Sequence, residues 1–220
     1  MVNLLQKSVT RTVVIAVILT IGGKLLAFLK DIVLANFFGA GVDTDAYFIA
    51  NLAPGLIWLA ILTTISATFL PQYVKFQQLE KRKAIAFAQE SIRLYFYLAL
   101  FLAIICFVLA KQIVQLSAPQ ASLQTQELAV VLTRTMVFAF VFTGYVGIQN
   151  TLQQIHGRFL SPLIVPLTNN FIMITVIVVA SYFENIAIAV VGAVFAWALQ
   201  SLIQRWQTRD IYSLQVDWRV

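Results

Sequence analysis

A chain of 220 residues that is 60% hydrophobic and only 11% charged cannot clothe a soluble surface, because soluble domains carry about 25% charged residues. Its mean hydropathy of +0.87 places it in a bilayer. The net charge of +6 comes from bases in short segments beside apolar runs, not from one face with stacking aromatics, which excludes a nucleic-acid partner.

Six nearly charge-free runs, at 13–29, 46–70, 94–110, 135–155, 159–183 and 185–204, each approach the roughly 20 apolar residues that a spanning helix needs. The fold class is therefore all-α: a polytopic membrane protein with six transmembrane helices over 1–204 and a cytoplasmic tail over 205–220. Lys7 and Arg11 precede the first run as in a secretory signal peptide, but five further spans follow, and it is read as a span. This run ends in the stretch KLLAFLKD, residues 24–31.

The second run is interrupted by Pro54–Gly55, where the missing proline N–H predicts a kink or a discontinuity. Residues 76–93 alternate charges with apolar residues at helical spacing, which predicts an amphipathic cytoplasmic helix lying at the interface. The third and sixth runs are apolar almost all round and read as lipid-facing. Cys106, the single cysteine, sits in the third run and forms no intrachain disulfide. The fifth run carries Pro162, Pro166 and the pair Asn169–Asn170, and bare amides in hydrocarbon are expected to turn toward protein or water.

Cations alternate along the chain. Lys75, Lys81, Arg82, Lys83 and Arg93 crowd the second connection, and further bases lie at Lys7, Arg11, Arg158, Arg205, Arg209 and Arg219. The intervening loops hold Asp43 and Asp45, then Lys111, Glu127 and Arg134, then Glu184. The positive-inside rule puts both termini in the cytoplasm of a multi-pass protein.

Enzyme chemistry finds no support. HExxH, GxSxG, P-loop and GxGxxG patterns are missing, His156 stands alone in a connecting segment, and Asp43-Thr44-Asp45 imitates a sugar-nucleotide DxD without a soluble domain around it. No catalytic residue, cofactor or metal is expected. What remains is charge within the membrane. A lysine at mid-helix costs about 2.5 to 3.5 kcal/mol, and Lys24 follows a long apolar stretch. Lys24 and Asp31, seven residues apart, share a helical face, and Lys30 points elsewhere. Either Lys30 and Asp31 mark the interface end while Lys24 snorkels, or these groups line a water-filled cavity. A cationic cavity open to the bilayer suits an anionic, phosphate-bearing lipid.

From Lys24 to Pro71 the order KLLAFLKD, IVLANF, FGAG and TDAYF resembles the MviN/MurJ family of lipid II flippases, whose first helix carries R-V-L-G-F-x-R-[DE] followed by F-G-A-G and T-D-A-F-F. A second block, GIQNTLQQIHGRFLSPLIVPLTNNFIMI, is similar to the family segment that ends helix four and opens helix five. The resemblance implies one lobe of a two-lobe flippase, here the N-terminal one, with 205–220 as a tail or inter-lobe linker, moving a polyprenyl-diphosphate-linked glycan such as lipid II or a related polysaccharide intermediate across the bacterial plasma membrane. It implies as partners a lipid-linked glycan diphosphate, membrane lipid, and a second lobe or another copy of the chain.

Carried over by position, the family's cavity cations fall on Lys24 and Lys30 and its acidic positions on Asp31 and Asp45. Asn170 corresponds to the later asparagine of the second block. The family's P-N-L-L-R-R is Pro54 to Leu59 here, so Trp58 occupies an arginine position and both arginines are gone; the E-G-A segment aligns with Leu62, Thr63 and Thr64 across a one-residue deletion. Lys24, Lys30, Asp31, Asp45, Trp58 and Asn170 form the expected substrate-contact set. The alternative is a truncated or degenerate lobe that transports nothing and binds partners.

Overall fold

The computed structural model describes the backbone of residues 2–213; the side chains of 1–9, 53, 54, 57, 58, 60–62, 65, 66 and 213–220 lie outside the described residues. Eight helices follow one another among the described residues: α1 Val2–Phe38, α2 Val42–Leu79, α3 Lys81–Val108, α4 Ala110–Ser117, α5 Leu123–Met136, α6 Ala139–Ile155, α7 Ser161–Tyr182 and α8 Ile186–Ser213. Helices α1, α3, α7 and α8 are each long and apolar enough to cross a membrane, and α5 with α6 makes a further span bent by 48°. The second apolar run lies within α2, which continues unbroken through Pro54–Gly55.

Two ends are recognisable. The α1–α2 and α7–α8 turns meet at one end, where Asp43 and Glu184 line one cleft with Phe38 and Ser181. At the other end Lys81, His156 and Ile211 share a cleft. Connections at alternate ends are what a chain traversing a bilayer repeatedly must have. At the first end, Gly39 takes a positive φ of 75°, a backbone state that glycine enters without Cβ penalty. The Thr44 hydroxyl closes the turn by donating to the Gly39 carbonyl at 2.5 Å.

The main core joins α1, α2, α5, α7 and α8 through Leu34, Tyr47, Leu132, Ile177, Val190 and Ala196. Many of its members are alanine, which lets backbones approach where lipid gives no hydrophobic drive to association. Large side chains such as Phe101, Ile104, Leu25 and Phe28 remain exposed, as a lipid-facing surface requires.

Several sequence expectations change. Residues 81–93 are not a separate interfacial helix, because α3 runs from Lys81 to Val108 after a single extended residue, Glu80. Their apolar face is covered by protein: Ala84 and Ala88 pack with Phe69, Tyr73, Ile148 and Leu152. The expected fourth span is broken at Val137–Phe138. There the Phe138 and Phe140 N–H groups bond three residues back, to Thr135 and Val137, and this tighter winding redirects the axis without proline or glycine. The connection before it is largely helical as α4 and α5, with Ser122 capping α5 through the Thr125 N–H at 3.1 Å. The sixth run is not simply lipid-facing. α8 packs against α2, α5, α6 and α7, and it continues through residues 205–213, which the sequence assigned to the tail.

Candidate functional site

Helix α1 is the least buried of the four single-helix spans and rests almost entirely on α7. A Cβ at Gly22 or Gly23 would lie 3.4 Å from Leu167 or Pro166 respectively, so the two backbones meet closely there. Asn170 ties the seam by donating from Nδ2 to the Gly23 carbonyl at 3.3 Å. One residue later comes Lys24, exposed and without a carboxylate at ion-pair distance among the described residues. Asn169, the sequence neighbour of Asn170, holds a buried Nδ2 with no partner among the described residues. Asn170 thus contacts the residue before Lys24, and its amide donates to backbone.

Two turns further, Lys30 Nζ lies 3.0 Å from Asp31 Oδ1. It also sits 6.0 Å from the ring centroid of Tyr47, which is buried in α2. The lysine is mostly buried and the aspartate half exposed. The buried Oδ1 has no partner of hydrogen-bond geometry among the described residues, so the ammonium compensates it by charge. The expected sharing of a face by Lys24 and Asp31 does not bring them together: seven residues at 1.5 Å rise put them about 10 Å apart along the axis. A flexible lysine stem reaches the carboxylate next to it instead. Lys30 points toward α2 and brings Lys30, Asp31 and Tyr47 into one group.

Asp45 is exposed in the first turn of α2, where Asp43 and Asp45 favour the positive end of the helix dipole. No ion pair links it to Lys24 or Lys30 among the described residues. The Trp58 side chain lies outside the described residues.

The sequence reading missed a buried amide cluster on α6 and α8. Gln149, Gln153, Gln200 and Gln204 are all essentially inaccessible. Gln153 donates to Gln204, which donates to Asn150 Oδ1 at 3.0 Å. Thr168 of α7 donates to Gln200 Oε1 at 2.8 Å, and Ser161 to Gln207 Oε1 at 3.0 Å. Arg158 holds Asp210 with both guanidinium nitrogens and the Gln207 carbonyl at 2.6 Å. The available signal was spacing: Gln200, Gln204 and Thr208, like Gln149 and Gln153, recur every fourth residue on a helical face.

A profile of the MurJ lipid II flippase family matches residues 34–217. The chain belongs to that family. The match contains Asp45, Trp58 and Asn170 but starts after Lys24, Lys30 and Asp31. Among solved structures, a lipid II flippase MurJ in an inward closed conformation superposes with a TM-score of 0.74 at 21% identity, covering 86% of this chain. That likeness supports the fold. This chain spans 41% of the length of the solved flippase. No curated protein matches it.

Proposed function

We propose that this chain acts as a lobe of a flippase that carries a polyprenyl-diphosphate-linked glycan, lipid II or a related polysaccharide precursor, across the bacterial plasma membrane. The observation that carries the reading is Lys24, an exposed ammonium midway along the 29-residue apolar stretch Thr10–Phe38, with no carboxylate partner among the described residues. Intramembrane charge of this kind faces water or a polar ligand. A diphosphate offers the matching charge. Lys30 competes poorly for it, because Asp31 already balances it.

In this reading the α1–α7 seam is one wall of a central cavity, and a second lobe, on the same polypeptide or on another copy, supplies the facing wall. Alternating access of the two lobes exposes the diphosphate site to each leaflet in turn. Both termini lie in the cytoplasm. The lipid changes leaflet with no covalent bond made or broken, so no side chain is assigned a catalytic role.

The test is complementation in cells depleted of the chromosomal copy. Lys24→Ala abolishes growth at a normal protein level, and Lys24→Arg sustains it, since guanidinium keeps the charge and grips phosphate at two points. Full activity of Lys24→Ala refutes the assignment.

A further inference from the structure

A second polar concavity lies away from the α1–α7 seam. Between α3, α6 and α8 a cleft of about 430 Å³ is lined by Gln89 and Ile92 of α3, Tyr145 and Gln149 of α6, and Arg205, Arg209 and Tyr212 of α8. Its chemistry is one-sided. Two guanidinium groups one helical turn apart, two phenols and two amides line it, and none of the described lining residues is a carboxylate.

Among the described residues, the neighbouring acids are engaged elsewhere, Asp210 by Arg158 and Glu90 by Arg93, and Arg205 and Arg209 form no ion pair. Arg209 instead lies over the exposed Trp206 ring, 5.3 Å from its centroid, which orients the guanidinium without neutralising it. Tyr212 and Gln149 are hydrogen-bonded to each other at 3.2 Å, so the floor of the cleft is already ordered.

The surroundings distinguish a lipid from a soluble anion. Moving from the α2–α3 turn into the membrane, the residue one turn beyond Ile92 on α3 is Phe96. Moving the same way along α8, the residue one turn beyond Arg205 is Leu202. Both are large, apolar and exposed. The cleft is thus basic at the end shared by the α2–α3 turn and the end of α8, and apolar on its membrane side. That is the polarity of a headgroup with its acyl chains.

We infer that the cleft formed by Tyr145, Gln149, Arg205, Arg209 and Tyr212 binds the phosphate headgroup of an anionic phospholipid, separately from the cavity that would take the flipped glycolipid. Bidentate arginine–phosphate contacts supply the grip. Tyr145 and Tyr212 line the same cleft, and the Tyr212 hydroxyl, hydrogen-bonded to Gln149, is a further polar group that the headgroup would meet. Occupancy would brace α8 against α3 and α6 and leave α1 and α7 untouched, so it depends on the lipid composition of the leaflet and not on Lys24.

The test uses the full chain in neutral detergent with phosphatidylglycerol or phosphatidylcholine as probe, and native mass spectrometry as readout. The wild-type chain retains one phosphatidylglycerol in preference to phosphatidylcholine. The pair Arg205→Gln and Arg209→Gln weakens that retention about thirtyfold, as expected for two basic side chains at an anionic surface, while Lys81→Gln with Lys83→Gln leaves it within about twofold, because those lysines lie outside the lining. Unchanged retention in the arginine variant overturns the inference, and so does equal loss in the lysine control, which would mean diffuse charge attraction. Displacement of the lipid by millimolar inorganic phosphate overturns the lipid assignment in favour of a soluble anion. Circular dichroism and a monodisperse elution profile establish that each variant is folded. If the arginine pair fails that criterion, Tyr145→Phe with Tyr212→Phe is measured instead, and retention equal to wild type then overturns the inference. The Lys24→Ala chain retains phosphatidylglycerol like wild type, which keeps this result independent of the flippase reading.

Discussion

Gly192 of α8 offers the sharpest structural prediction. A Cβ built there would stand 2.0 Å from Val176 Cγ1, 2.9 Å from Cγ2 and 3.0 Å from Cβ. Carbon atoms rest at about 3.5 to 4.0 Å, so Gly192→Ala demands a retreat of about 1.5 Å at the closest methyl. Rotation of Val176 offers little relief, because its χ1 is stiff in a helix and its Cβ is itself too near. The α7–α8 contact must therefore open, at a cost of about 1 to 3 kcal/mol for an overpacked core. For a chain of this size that corresponds to a fall of about 2 to 12 °C in the unfolding temperature. The assay is thermal unfolding of the detergent-purified chain, read by loss of the monodisperse elution peak. The companion variant is Val176→Ala, which removes the two colliding methyl groups. If the clash is the cause, the double variant is more stable than the two single effects predict by addition, with a coupling of about 1 to 3 kcal/mol. A Gly192→Ala chain as stable as wild type, or additive behaviour in the double variant, refutes the close packing of α7 on α8.

Lys30→Met leaves the buried Asp31 oxygen without its compensating charge and lowers the amount of membrane-inserted protein, measured by immunoblot. Adding Asp31→Leu restores that amount, and failure to restore it would mean that the pair is not what stabilises this part of α1. Gln204→Leu strands the Gln153 amide and the Asn150 carbonyl and lowers stability by about 1 to 3 kcal/mol, whereas Asp210→Asn, in a pair half open to solvent, costs less than about 1 kcal/mol. Thermal unfolding in the reverse order would show that the helices are fastened by the surface pair and not by the buried amides. In a Cys106→Ala background, cysteines at Asp43 and Glu184 label from outside intact cells and one at Lys83 labels only after permeabilisation. External labelling at Lys83 inverts the proposed orientation.

Much of this molecule was legible in the sequence because a bilayer imposes a simple rule. Every backbone group in hydrocarbon must be bonded internally, so long apolar runs can only be helices, and α1, α2, α7 and α8 fall where hydropathy placed them. Polar residues inside such runs also announce themselves, and Lys24, Lys30, Asp31 and Asn170 could be singled out without coordinates. Direction and partnership could not. The amphipathic pattern of 81–93 is the same whether its apolar face meets headgroups or another helix, and only packing against Tyr73 and Leu152 decides for the helix. The bend at Val137–Phe138 has no proline or glycine to mark it, since it arises from how α5 and α6 pack separately on their neighbours. Asp31 pairs with Lys30 and not with Lys24, because helical periodicity fixes a face but not a distance. Likewise, composition made α8 look lipid-facing, yet Gln200 and Gln204 are buried. A mean over a helix counts its polar residues, and only the tertiary structure decides which side of the helix meets protein and which meets lipid.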